Sequence, residues 1–272
     1  GAEIATLLRE GFKALNDGEP KKAAEFCRRA LALDRRHPQA HFLVGLVALA
    51  MNDLKTAASA FGSVTKLAPD HPAAWAHLAQ IFMRAGQPAR AEQALEKAKP
   101  LWAGDGAVAD LIGMVSSALG DQAAAKIWYQ RAVEKEPARS VYKVNLATAL
   151  TFLGETSAAE ATLTKLLADN EDIAQAQWLL SSLKKAQDPS RADRLMEKAR
   201  AASDAHARAF LAYGAGKEYE DCEEWTKAFA AFELGAKAKR SIVDYDEKAD
   251  EARFAALIST FTEEWAQQTR KG

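Results

Sequence analysis

The sequence predicts an all-α fold of stacked helix pairs, and three observations predict it. Similar residues recur with a period of 34 along most of the chain. Gly, Asn and Pro punctuate each period where one helix ends and the next begins. Between these breaks apolar residues fall at helical spacing, and no strand-like alternation of useful length occurs. A period of this length marks an array in which each unit packs on its neighbours.

The bulk composition agrees with this and excludes several classes. The 272 residues are 49% hydrophobic and 27% charged, with 36 basic against 37 acidic side chains. Such a chain is globular, not disordered. Near-neutral charge argues against nucleic-acid binding driven by phosphate contacts. The balance runs from 14 basic and 11 acidic residues over 1–105 to 9 and 13 over 209–272, too mild a gradient to specify a partner. Cys27 and Cys222 lie far apart, which rules out a disulfide framework and any paired-cysteine metal motif, and suits a reducing, cytoplasmic setting. No apolar run is long enough to span a membrane, and no signal peptide is visible after Gly1.

Five regular units are expected over 4–173, at 4–37, 38–71, 72–105, 106–139 and 140–173. Position 8 of these units is small: Gly11, Gly45, Ala79, Gly113, Ala147. Position 20 is Ala throughout: Ala23, Ala57, Ala91, Ala125, Ala159. Small residues at both places let two antiparallel helices approach closely. Position 24 supplies a plug between them, as Cys27, Phe61, Leu95, Tyr129 and Leu163. Position 15 holds Gly18, Asn52, Gly86, Gly120 and Gly154, which end the first helix in a left-handed cap. Pro20 and Pro88 fit the first turn of the second helix. Pro69 and Pro137 stop that helix, and Pro38 and Pro72 are read as doing the same slightly later.

The later part, 174–243, reads as an irregular sixth and a seventh unit. A helix near 175–186 carries Trp178, Leu179, Leu180 and Leu183, and Asp188 or Ser190 is expected to cap a second near 191–202. In the seventh unit Gly216 falls at position 8, Ala228 at 20 and Phe232 at 24. Residues 244–270 are expected to be a C-terminal amphipathic helix that caps the array or links onward. Its Phe254, Leu257, Ile258, Phe261 and Trp265 share one face.

The segment Trp75-x-x-Leu78-Ala79-x-x-Phe82, followed by Ala91 and Ala98, resembles the tetratricopeptide repeat (TPR). The resemblance implies a right-handed α-α superhelix of about seven helix-turn-helix units plus the C-terminal helix. It also implies that the first helix of each unit lines a concave groove. The groove positions are then Leu8, Phe12, Phe42, Leu46 and Leu49 at the apolar N-terminal end. Ala76, Gln80, Met83, Arg84, Asp110, Met114, Thr148 and Phe152 follow, then Trp178 and Tyr213. An apolar groove suits an amphipathic helix or an extended peptide. The same residues serve equally to pack neighbouring helices or a second copy. The Lys, Asn and Arg clamp by which some TPR proteins hold a terminal carboxylate is not matched: Asn145 is present, its basic partners are not.

Constellations that would carry chemistry fail one by one. His37 and His71 occupy the same repeat position before Pro, and Pro38 separates His37 from His41, so a metal pair is not expected. Cys27 fills the plug column, and Cys222 sits among carboxylates that disfavour a thiolate. Gly214-Ala215-Gly216-Lys217 lacks the glycine spacing and the Ser or Thr of a phosphate loop. Glu218, Glu220, Asp221, Glu223 and Glu224 read as a solvated face. No catalytic residue, metal ligand or cofactor site is therefore expected, and the chain is read as a non-enzyme.

The stretch Phe210–Asp221, with Trp225–Phe229 and Gly235–Arg240, resembles the TPR portion of bacterial TPR–sulfotransferase proteins over residues 174–265. In that family an α/β domain using the sulfate donor PAPS follows the repeats. None of its Arg-Ser-Gly-Thr-Thr-like loop occurs in this sequence. Three readings of function follow: a scaffold for a protein or peptide partner, the substrate-presenting or regulatory part of such an enzyme, or a self-assembling homo-oligomer. A nucleic-acid or membrane partner is not expected.

Overall fold

The computed structural model describes residues 2–269; Gly1 and the last position of the expected 244–270 helix, Arg270, lie outside them. Those residues form sixteen α-helices and no strand. They divide into two compact units, one through Asp169 and one from Asn170. The second unit therefore takes in the expected sixth and seventh repeats together with the tail.

The first unit holds five helical hairpins. They are α1 (Ala2–Asn16) with α2 (Pro20–Leu33), α3 (Pro38–Ala50) with α4 (Leu54–Leu67), and α5 (Pro72–Arg84) with α6 (Pro88–Leu101). Then come α7 (Gly106–Ala118) with α8 (Gln122–Lys135), and α9 (Ser140–Phe152) with α10 (Thr156–Asp169). The connections between hairpins fall at 34–37, 68–71, 102–105 and 136–139. Along the array α1 touches α3, Phe42 of α3 lies 5.9 Å from His77 of α5, α5 touches α7 and α7 touches α9, so the first helices form one row. The second helices pack on the first helix of the next hairpin, as α2 on α3 and α8 on α9.

The repeat columns have the geometry their residue types demand. A Cβ added to Gly45 would stand 2.6 Å from the ring of Phe61, and one on Gly113 would stand 2.8 Å from Tyr129. At Gly45 and Gly113 the missing side chain is thus the space that the plug at position 24 occupies, while at Gly11 it is Leu43 of α3 that stands 2.6 Å from where a Cβ would be. Ala23, Ala57, Ala91, Ala125 and Ala159 are all fully buried. At position 15, Gly18 has φ 76° and Asn52 φ 58°, the left-handed turn that reverses the chain.

Pro38 and Pro72 are the first residues of α3 and α5, so they begin helices and do not end the preceding ones. Proline suits that place because its missing N–H would have no helical partner there. His37 and His71 are the N-caps: each Nδ1 accepts a backbone N–H, from Ala40 at 3.4 Å and Ala74 at 3.3 Å. Asp53, Asp105 and Asp121 cap α4, α7 and α8 in the same way.

The second unit contains α11 (Ala174–Leu183), α12 (Ser190–Ala201), α13 (Ala205–Asp221), α14 (Trp225–Arg240), α15 (Glu247–Thr260) and α16 (Glu263–Thr269). α13 is its centre and packs on α11, α12 and α14. α11 stops at Leu183, short of the expected end near 186. α13 holds the departing chain: Lys217 Nζ donates to the Lys184 carbonyl at 2.7 Å, and Asp221 accepts the Ala186 N–H at 2.9 Å. Asp188, not Ser190, supplies the turn before α12, accepting the Ser190 N–H at 3.0 Å.

In this unit the glycines sit as the sequence reading has them, and the reading of the acidic cluster changes at one residue. Gly214 and Gly216 lie inside α13, where a Cβ on Gly216 would meet Phe232 at 2.6 Å, so these glycines serve helix contact. Within the acidic cluster, Glu218 is buried and does not belong to a solvated face. Its Oε1 accepts from Ser181 Oγ at 2.7 Å and from the Arg191 guanidinium, which also donates to Gln177 Oε1 at 2.6 Å. Its Oε2 has no protein partner. Glu220, Glu223 and Glu224 do face solvent.

The tail differs from the single capping helix expected over 244–270. It forms two helices parted at Phe261 and Thr262, where Thr262 Oγ1 accepts the Trp265 N–H at 3.2 Å and starts α16. α15 buries no residue, and Phe229 on α14 stays 72% exposed. The apolar face of the tail is therefore real but does not cover the end of the seventh unit.

Candidate peptide groove

The row of first helices in the first unit presents the residues expected at groove positions, and burial sorts them. Leu8 and Ala76 are buried and face no ligand. Phe12 and Leu15 pack on one core cluster, while Phe42, Leu46, Leu49 and Met83 pack on another. Phe42 is held by three rings, with centroids 5.5 Å from Phe61, 4.7 Å from His71 and 5.9 Å from His77. The apolar N-terminal stretch is thus largely consumed in joining hairpins.

The open part of the row lies on α5, α7 and α9. Met114 is 39% exposed and Phe152 is 70% exposed. Helical spacing places Asp110 and Met114 one turn apart on α7, and Asn145, Thr148 and Phe152 in line on α9. Asn145 Nδ2 donates to Asp110 Oδ1 at 2.9 Å and ties α9 to α7. Thr148 turns its hydroxyl back to the Val144 carbonyl at 2.9 Å. On α5, exposed Arg84 donates to Asn52 Oδ1 at 2.7 Å, and half-buried Gln80 contacts His77 Nδ1 at 3.4 Å.

Burial sets the electrostatics of the row. It pushes the Asp110 carboxyl up, against the hydrogen bond from Asn145. The Tyr129 phenol beneath is pushed up by burial and by that carboxylate. His77, stacked on Phe61 at 4.7 Å, is pushed down to about 4 by burial. In the sequence Asn145 is legible only as a fragment of a clamp; its link to Asp110 spans 35 residues and needs the fold.

Trp178 and Tyr213, the remaining expected groove residues, lie in the second unit. Both are half-buried: Trp178 packs 5.5 Å from Phe210 and Tyr213 6.5 Å from Phe232. Each therefore contributes to hairpin packing there.

Among the described residues no group of three or more His, Cys, Asp or Glu side chains is arranged to hold a metal, and no helix is long and apolar enough to cross a membrane. Burial pushes the Cys27 thiol up to about 11, and desolvation with the carboxylates of Asp188, Asp221 and Glu224 pushes Cys222 up. Neither is a poised nucleophile.

Models of the tetratricopeptide repeat match residues 48–114 and 109–138. The fold is similar to that of PilF of Pseudomonas aeruginosa, with TM-score 0.60 and 16% identity over 84% of this chain and 97% of that one. It is similar to TTC0263, a TPR protein of Thermus thermophilus, with TM-score 0.55 and 18% identity over 66% of this chain and 98% of that one. YrrB, a TPR protein described as having an unusual peptide-binding site, gives TM-score 0.51 and 15% identity over 76% and 98% of the two chains. No curated protein matches the sequence. The chain is thus an all-α TPR-like solenoid. The matched segments stop short of 174–265, so the sulfotransferase resemblance stands on its own residues alone.

Proposed function

We propose that this chain is a non-catalytic TPR scaffold that holds a protein or peptide segment against α5, α7 and α9. The observation that carries the reading is the pairing of exposed apolar side chains, Met114 and Phe152, with the tethered amide and carboxylate of Asn145 and Asp110. An extended peptide needs both kinds of contact, apolar anchors for its side chains and polar groups for its backbone. Because Asn145 and Asp110 are already oriented by each other, they bind without much loss of side-chain freedom. The peptide-binding site described for YrrB gives the reading a precedent among proteins of similar fold.

Substitution of the exposed anchors tests it. Met114→Glu with Phe152→Glu leaves the helical circular-dichroism signal and melting temperature near those of the parent. The same change is expected to abolish partner capture in a pull-down from the source cell, with Phe42→Ala as the comparison that weakens the fold instead. Capture that survives the double substitution overturns the groove assignment.

A further inference from the structure

The second and third hairpins carry a trough distinct from the groove above. α4 and α6 form its walls and α5 its floor. It comprises adjoining cavities of about 460 and 260 Å³ that share Ala58, Phe82 and Arg90. The floor is apolar, with Trp75, Leu78 and Phe82. At Gly62 the α4 wall is open, with no heavy atom within 4 Å of where a Cβ would stand. Four cations rim it: Lys55 and Lys66 on α4, Arg90 and Lys97 on α6. No Asp or Glu lines either cavity. The Arg90 guanidinium is fixed 4.0 Å over the Phe82 ring. In a chain of net charge −1 this is a local concentration of positive charge around an apolar floor.

The tail has the complementary chemistry. Phe254, Leu257, Ile258 and Phe261 follow helical spacing on one face, with Ile258 76% and Phe254 64% exposed. From Asp244 to Glu264 the tail carries 7 acidic and 2 basic residues. The ridge from Phe254 to Phe261 is roughly 10 Å long, and the α4 wall from Lys55 to Lys66 roughly 16 Å, at the helical rise per residue. The ridge therefore fits within the trough.

We propose that α15 and α16 of a second copy lie in the α4–α6 trough, with Phe254 and Ile258 on its floor and the tail carboxylates against Lys55, Lys66, Arg90 and Lys97. This is helix-in-groove recognition with electrostatic selection of the partner. It joins two different surfaces, so each copy offers one tail and one trough. It does not use Asp110, Met114, Asn145 or Phe152, and so leaves the groove free.

Sedimentation velocity of the full chain over a concentration series tests it. The wild-type chain self-associates, and added salt weakens the association. Lys66→Glu with Lys97→Glu, at exposed positions that do not threaten the fold, weakens it by about tenfold or more, as does Phe254→Asp with Ile258→Asp. Mixing these two double variants in equal amounts restores a heterodimer, because one still has its tail and the other its trough. Adding Glu263→Lys and Glu264→Lys to the trough variant restores association of that variant with itself. A wild-type chain monomeric at every concentration overturns the proposal. So does association that survives the trough substitutions but is lost on Phe229→Asp, which would seat the tail on α14.

Discussion

At the scale of single residues, Gly45 and Phe61 define what the repeat selects. Gly45→Ala drives a methyl group into the Phe61 ring, and a loss of about 1–3 kcal/mol is expected in urea denaturation. Glu223 stands where the other units have Gly or Asn and adopts φ 60°. Glu223→Gly removes that strain and is expected to raise stability by about 1 kcal/mol, read as a higher urea midpoint. His77 makes the fold acid-sensitive. Burial lowers its pKa to about 4, while in the unfolded chain the imidazole titrates near 6.5. As pH falls through this window the unfolded state takes up a proton that the folded state refuses. The stability is complete above about pH 6.5 and falls by up to about 3 kcal/mol toward pH 4. His77→Phe should flatten that slope in a pH series of denaturation curves.

At the scale of elements, the hairpins are legible in the sequence because one residue type per column has one geometric use. Gly or Asn at position 15 turns the chain, and a small residue at position 8 admits the plug; both follow from backbone and volume alone. Pro38 and Pro72 are ambiguous in the sequence because a proline between two helices is compatible with ending one or beginning the next. The N-cap bond to His37 or His71 decides it, and that bond is not visible in the pattern. The sixth unit is irregular in sequence because its first helix ends early on contacts from α13. The network of Arg191, Glu218, Ser181 and Gln177 holds that arrangement. Arg191→Ala strands the Glu218 carboxylate in the core and is expected to cost about 3–5 kcal/mol. Replacing both by apolar residues should cost less, which a double-mutant cycle can measure.

At the scale of the whole chain, the division at Asp169 predicts uneven response to damage. Amide exchange in Arg191→Ala should quicken in α11–α13, while α3–α6 keep their protection, because repeat arrays transmit stability through neighbouring contacts. The candidate groove is the least legible part. Sequence assigns its residues to the first helices of the hairpins but cannot divide ligand-facing from packed side chains. Phe42 and Phe152 are the same residue type on first helices of their hairpins, yet one is enclosed by three rings and the other is open. For Phe42 the enclosing rings are Phe61 of its own hairpin and His71 and His77 at and within the next, a neighbourhood that the residue type alone does not reveal. The tail illustrates the same limit: its apolar spacing is plain, but spacing does not say what covers it.

The contact between Gly45 and Phe61, and its equivalent between Gly113 and Tyr129, lies within a hairpin and not between hairpins. A gene encoding this chain can therefore gain or lose whole hairpins without disturbing either of these two fits. A cut between the two helices of one hairpin would separate the halves of that fit. A short flexible insertion should be tolerated at the turns near Arg36, Asp70 or Pro137, and should lower the urea midpoint near Asn52 or Gly120, where the backbone turns left-handed inside a hairpin. The unit of inheritance in such an array is thus set by where a missing side chain and a large one meet.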